Sequence, residues 1–307
     1  MRDVVIVGGG PAGLSAAVYA KRAMLDSVLI EKSPVGAGQI AESDRVDNYL
    51  GLLGENGYAL ALKFRNHAAK VGVEFVTGEA VKITAGTGYY IVWLADGEKI
   101  ETRTIIFALG ANRKKLEIKG EQELTGKGVS YCAVCDGAFY RGKTVVVVGG
   151  GDTAAGDAVL LSKIAEKVIL VHRGSSLRAS HSLQQQLADL NNVQLMLNAS
   201  LTEIIGDSRV TGVALKCTSG NKTLSVSGVF VAVGTSPNSQ LLKELVQCDS
   251  NGYVLADETG ETSAKGIFVA GDVRTKPVKQ VITAVADGAN CVYSAEKYLQ
   301  KIKAYKK

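Results

Sequence analysis

The chain has 307 residues, 35 basic and 30 acidic, with a net charge of +5. A chain of this length builds two ordinary cores without disulfide or metal support. Its five cysteines are odd in number and only two are close in sequence, which excludes the even, spaced framework of a secreted scaffold. The opening MRDVVIVGGG is apolar for only four residues before its glycines, too short for a signal core or a membrane span. The expectation is a cytoplasmic protein with no membrane or nucleic-acid partner, and the basic tail LQKIKAYKK at 299–307 reads as a solvated helix end.

The first predicted elements are a strand over 4–7, a turn, and a helix. The turn is G-x-G-x-x-G, with Gly8, Gly10 and Gly13 in place and Pro11 and Ala12 between them. In this context the first glycine permits the tight turn, the second lets backbone approach a pyrophosphate, and the third lets helix pack on strand. The helix N-terminus then offers unpaired N–H groups to phosphate. The next strand, VLIEK, ends at Glu31 and Lys32, and Glu31 lies 18 residues after Gly13. A carboxylate there accepts from the two ribose hydroxyls of an adenosine.

Next comes a stretch of alternating strands over 73–107 with turn signals at AGTG and ADG, predicting a small antiparallel sheet. It closes on an apolar strand and a glycine turn, IIFALGAN, which contains Gly110. GVFVAVGTSPN at 228–238 closes in the same way, so the two turns are read as the points where the chain leaves and re-enters a domain, and as hinges.

Between them the dinucleotide pattern recurs 141 residues on, as VVVVGGGDTA, with Gly149, Gly151, Asp152 and Thr153 in the turn and Ala154 in third place. The strand after it carries His172 where the first copy has Glu31, followed by Arg173 and Arg178. A carboxylate there repels a 2′-phosphate and cations attract one, so the second site reads as built for NADPH. After 239 a lone strand ending at Gly271 and Asp272, followed by a helix, is too little for a third domain. The expected architecture is α/β, with two doubly wound Rossmann-like domains, the second inserted in the first and each with a small antiparallel sheet. Residues 1–111 with 240–307 form the first, and 112–239 the second.

The features GGGPAG, GAGQI at 36–40, DNYLG at 47–51, CAVCDG at 132–137, GGGDTA, HRGSSLR and GIFVAGD follow in one order over essentially the whole chain. In this the chain resembles the low-molecular-weight thioredoxin reductases, and CxxCDG directly before the second dinucleotide fold is the specific feature. The resemblance implies FAD in the first domain, NADPH in the second, thioredoxin or a similar protein disulfide as partner, and a homodimer. It places Gly38, Gln39, Asn48, Asp272 and the Lys279-Gln280-Val281 run with the flavin.

Zinc fails for Cys132 and Cys135 on ligand count, since no second C-x-x-C or spaced histidine pair exists. A structural crosslink is disfavoured because so short a loop removes little unfolded-state entropy. A redox pair remains. The resemblance implies that Cys135 meets the flavin, Cys132 attacks the partner disulfide, and Asp136 protonates the leaving thiolate. Asp136 as a helix-start residue is the plain alternative.

Three departures fall on this frame. Gly174 stands where the family commonly has an arginine, Gly156-Asp157 where it has a glutamate pair, and Lys279 where it has an arginine. The first two fall on the nicotinamide nucleotide domain and keep two relatives in view, a ferredoxin-fed reductase and a dithiol oxidase that uses oxygen. Arginine at 174 is expected to lower the Michaelis constant for NADPH.

Overall fold

The computed structural model describes residues 1–33, 36, 38–43 and 45–304. Ala37 of the GAGQI stretch and the last three residues of the basic tail therefore lie outside the described residues. The chain forms two compact units, 1–112 with 236–307, and 113–235.

In the first unit the parallel strands Glu74–Thr77, Ser27–Glu31, Arg2–Val7 and Lys99–Phe107 lie side by side, and Ile267–Val269 joins the last of them. The antiparallel strands Tyr90–Leu94 and Ala80–Ala85 continue this same sheet, where the sequence pattern predicts a separate small one. Strand Lys99–Phe107 explains the fusion. It pairs antiparallel with Tyr90–Leu94 over 99–102 and parallel with Arg2–Val7 over 102–107. Its side chains change accordingly, from partly exposed at the start to fully buried at Ile105, Ile106 and Phe107.

Helix Pro11–Arg22 covers one face of the sheet, and the returning helix Val281–Ala304 packs against it. A side chain at Gly288 would collide with the Ala12 carbonyl, so the two helices cross backbone to backbone there. That close crossing anchors 236–304 in the first unit.

The second unit holds five parallel strands in the order Val193–Met196, Lys167–Val171, Thr144–Val148, Gly228–Val231, Val129–Ser130, counted among the described residues. Its antiparallel sheet is separate, made of Ala199–Gly206, Val210–Cys217 and Gly220–Ser225. The central strands are continuous apolar runs such as TVVVV, as a sheet covered on both faces requires. Among the described residues no helix is long and apolar enough to cross a membrane.

Candidate active site

Both glycine turns sit at the carboxyl ends of parallel strands, where open α/β sheets bind their ligands. Gly8 has φ +109°, and a Cβ there would lie 2.6 Å from the Ala108 carbonyl oxygen, so only glycine serves. Gly149 repeats this against Ala232 in the second unit. Helices Pro11–Arg22 and Asp152–Ser162 start at Gly10 and Gly151 with no side-chain cap, leaving their first N–H groups for a ligand.

The residue at the end of the following strand packs on the middle glycine in each copy. Glu31 Oε2 accepts from Gly9 N at 2.6 Å, and its other oxygen accepts from Ser33 N at 2.8 Å. Two acceptor positions of the carboxylate remain for a ribose. A cavity of about 750 Å³ opens beside it, lined by Glu31, Lys32, Gly38, Tyr58 and Asn112. A Cβ on Gly10 would meet nothing nearer than the Cα of the lining residue Gly38 at 4.0 Å, so the turn leaves bare backbone open there. Uncapped N–H groups, a ribose acceptor and this space fit the adenosine and pyrophosphate of FAD.

Asn48, Asp272 and Gln280 also belong to the first unit. Asn48 Nδ2 donates to Gln280 Oε1 at 3.0 Å, which ties the 47–51 stretch to the start of helix Val281–Ala304. Gly110 takes φ +63° at the first crossing. Lys279 Nζ lies 3.3 Å from the ring centroid of Tyr253, a partner from a distant loop. Asp272 follows Gly271, whose N–H donates to Asp287 Oδ2 at 2.8 Å. Asp287 also accepts from buried Arg274 and from Lys276, so a buried ionic cluster fixes this turn.

In the second unit a cavity of about 630 Å³ gathers Gly149, Gly151, Thr153, His172, Arg173 and Arg178. Its wall also contains Lys114 and Lys115, two cations that sequence reasoning missed. Asp152 Oδ1 accepts from Ser180 N at 2.6 Å. His172 is only 9% exposed. Its ring fills the space that a side chain at Gly150 would need. Burial, then the charges of Arg178 and Arg173, hold the imidazole below its usual titration range. Cation supply at neutral pH therefore comes from the arginines and lysines. An open Gly151, with nothing within 4 Å of a Cβ, and this basic wall fit a phosphorylated dinucleotide.

The cysteine pair stands on the same carboxyl edge of the second unit's sheet, just after edge strand Val129–Ser130. Cys132 and Cys135 form a disulfide across 5.3 Å between Cα atoms, and both are half-buried. Cys132 caps the single helical turn Ala133–Asp136, its Sγ accepting from Cys135 N at 3.2 Å. Asp136 ends that turn and stands at the start of the 3-10 turn Gly137–Tyr140 without capping it through its side chain, and its Oδ2 accepts from Ser130 Oγ at 2.5 Å. Tyr131 Oη donates to the buried carboxylate of Glu121 at 2.9 Å. Glu121 also accepts from Leu116 N and Glu117 N, so it pins the loop that carries the two lysines.

Cys217, Cys248 and Cys291 form no disulfide. Cys291 is buried, and burial pushes its thiol well up. Among the described residues no group of three or more His, Cys, Asp or Glu is gathered to hold a metal ion.

A half-exposed disulfide on the same sheet edge as one nucleotide-type cavity, with a second such cavity in the other unit, fits a nucleotide-linked disulfide oxidoreductase. The family profile of pyridine nucleotide-disulphide oxidoreductases matches residues 2–288, and the chain belongs to that family. It is 40% identical over 304 residues to a thioredoxin reductase of Listeria monocytogenes, covering 98% of this chain and 95% of that one. A thioredoxin reductase of Bacillus subtilis is equally similar, 40% over 303 residues, with the same coverage. The crystal structure of a thioredoxin reductase from Streptococcus pyogenes superposes with a TM-score of 0.93 at 38% identity, covering 98% and 99% of the two chains.

Proposed function

We propose that the chain is an FAD-dependent thioredoxin-disulfide reductase that takes electrons from NADPH, reduces its Cys132–Cys135 disulfide, and passes the pair to thioredoxin. The observation that carries this reading is the half-exposed disulfide on the same sheet edge as a basic nucleotide cavity. FAD, when bound, supplies the two-electron step that links a hydride donor to a disulfide.

The residues divide the remaining work. The Gly8 to Gly13 turn, Glu31 and Gly38 hold FAD, while Gly149, Gly151, Thr153, Arg173 and Arg178 hold NADPH, and Lys114 and Lys115 add charge. Cys135 exchanges electrons with the flavin side. Cys132 attacks the partner disulfide, and Asp136 gives a proton to the thiolate that leaves. The units 1–112 with 236–307 and 113–235 then correspond to the FAD and NADPH domains. A homodimer in the cytoplasm completes the proposal, resting on the family resemblance and checked by light scattering and by fractionation.

A steady-state assay of thioredoxin reduction with NADPH, NADH or reduced ferredoxin tests the reading. NADPH should support the highest kcat/KM. Turnover with ferredoxin alone, or oxygen consumption driven by a small dithiol, would replace it with one of the two relatives considered above.

A further inference from the structure

We infer that Ser130 is a positioning residue for the exchange step, holding the Asp136 carboxyl in the orientation from which it protonates the departing thiolate. The inference rests on the reductase reading above and goes beyond it, because Ser130 belongs to neither nucleotide motif nor to CxxCD.

Three contacts fix the geometry. Ser130 Oγ donates to Asp136 Oδ2 at 2.5 Å. The same oxygen accepts from Cys132 N at 3.0 Å. The Cys132 carbonyl, 3.4 Å from Oγ, is the poorer acceptor, so the single hydroxyl proton goes to the carboxylate. Ser130 is only 5% exposed and ends a strand paired with Gly228–Val231, so its own position is set by the sheet. It therefore ties Asp136 and the attacking cysteine to one rigid point. A hydrogen bond on Oδ2 stops the carboxyl from rotating about its Cβ–Cγ bond. Tyr140 also senses Asp136, and burial, then that charge, pushes its hydroxyl up to about 12, so it stays protonated and does not compete as an acid.

In the step concerned, reduced Cys132 attacks the partner disulfide. The partner's S–S bond breaks, a Cys132–partner S–S bond forms, and the leaving thiolate takes a proton from Asp136, which solvent replaces. Cys135 thiolate then displaces the second partner sulfur from Cys132, and that sulfur takes its proton from solvent. The Cys132–Cys135 disulfide is restored, and the partner has gained two electrons and two protons.

The test is a double-mutant cycle on FAD-loaded enzyme, pre-reduced anaerobically and mixed with oxidised thioredoxin. Ser130→Ala should slow thioredoxin reduction about tenfold. KM for thioredoxin and the rate of flavin reduction by NADPH should not change, and Ser130→Thr should restore most of the loss. In an Asp136→Ala background, Ser130→Ala should cost less than about twofold. Equal losses in both backgrounds, or a raised KM, would mean that Ser130 only supports the Cys132 backbone, and the inference fails. A normal rate for Asp136→Ala alone would instead remove the acid role on which it rests.

Discussion

The imidazole of His172 stands so close to Gly174 that a Cβ on the glycine would lie 2.8 Å from Nε2. The ring cannot retreat toward Gly150, whose missing side chain it already replaces. Restoring the family's arginine at 174 thus does two opposite things. It adds a cation, worth about ten- to hundredfold in an unhindered charge-assisted bond, and it displaces His172. Gly174→Arg is expected to improve NADP+ affinity by less than about tenfold, and Gly174→Ala, with the Cβ but no charge, to weaken it. Calorimetric titration of the two variants separates the effects. A full hundredfold gain for arginine would show that His172 moves freely.

Arg178 and Lys114 line one cavity from different elements and should have different effects on it. Arg178 follows the strand end at which we place a 2′-phosphate, whereas Lys114 donates its N–H to Gly234 O at 3.0 Å and lies beside that crossing. Arg178→Ala should weaken NADP+ about tenfold or more while sparing NAD+. Lys114→Ala should weaken both alike, with a shallower salt dependence than wild type. Binding isotherms for the two nucleotides at two salt concentrations decide it.

Asp157 on helix Asp152–Ser162 is raised to about 6 by burial alone. The folded chain then binds a proton that the unfolded chain has already lost between about pH 4 and 6. Stability from this group is present below the unfolded value and is lost as pH rises through the folded one. Asp157→Asn should therefore stabilise the protein at pH 7.5 by a few degrees in Tm, and the gain should vanish near pH 4. A difference that does not change with pH would assign the effect to something other than ionisation.

Glu31 holds two backbone N–H groups while keeping acceptor capacity for a ribose. Glu31→Gln replaces one accepting oxygen with a donor that faces a donor. The variant should lose FAD on dialysis and show a Kd raised by about tenfold or more. Retention equal to wild type would mean that the glycine turn alone carries the affinity.

Both glycine turns and the cysteine pair were legible in sequence because each lies within one local run with its spacing intact. What was not legible joins residues through the tertiary fold. Ser130 meets Asp136 because a strand end and a one-turn helix fold back on each other, and nothing in VSYCAVCD announces that contact. Lys114 and Lys115 reach the nucleotide cavity because Glu121 draws their loop over it, although the string NRKKLEIKGE reads as surface charge. The long strand Lys99–Phe107 misled the sheet count, because alternation shows that a strand is half-buried but not that it changes partners along its length.

Electron transfer to thioredoxin runs through the two sulfurs in the proposed function. In FAD-loaded Cys132→Ser, stopped-flow mixing with NADPH under anaerobic conditions should reduce the flavin at a near wild-type rate, while thioredoxin reduction falls to background. Cys135→Ser should also fail to reduce thioredoxin. Thioredoxin turnover near the wild-type rate in either variant would show that the Cys132–Cys135 disulfide is not the path of the electrons.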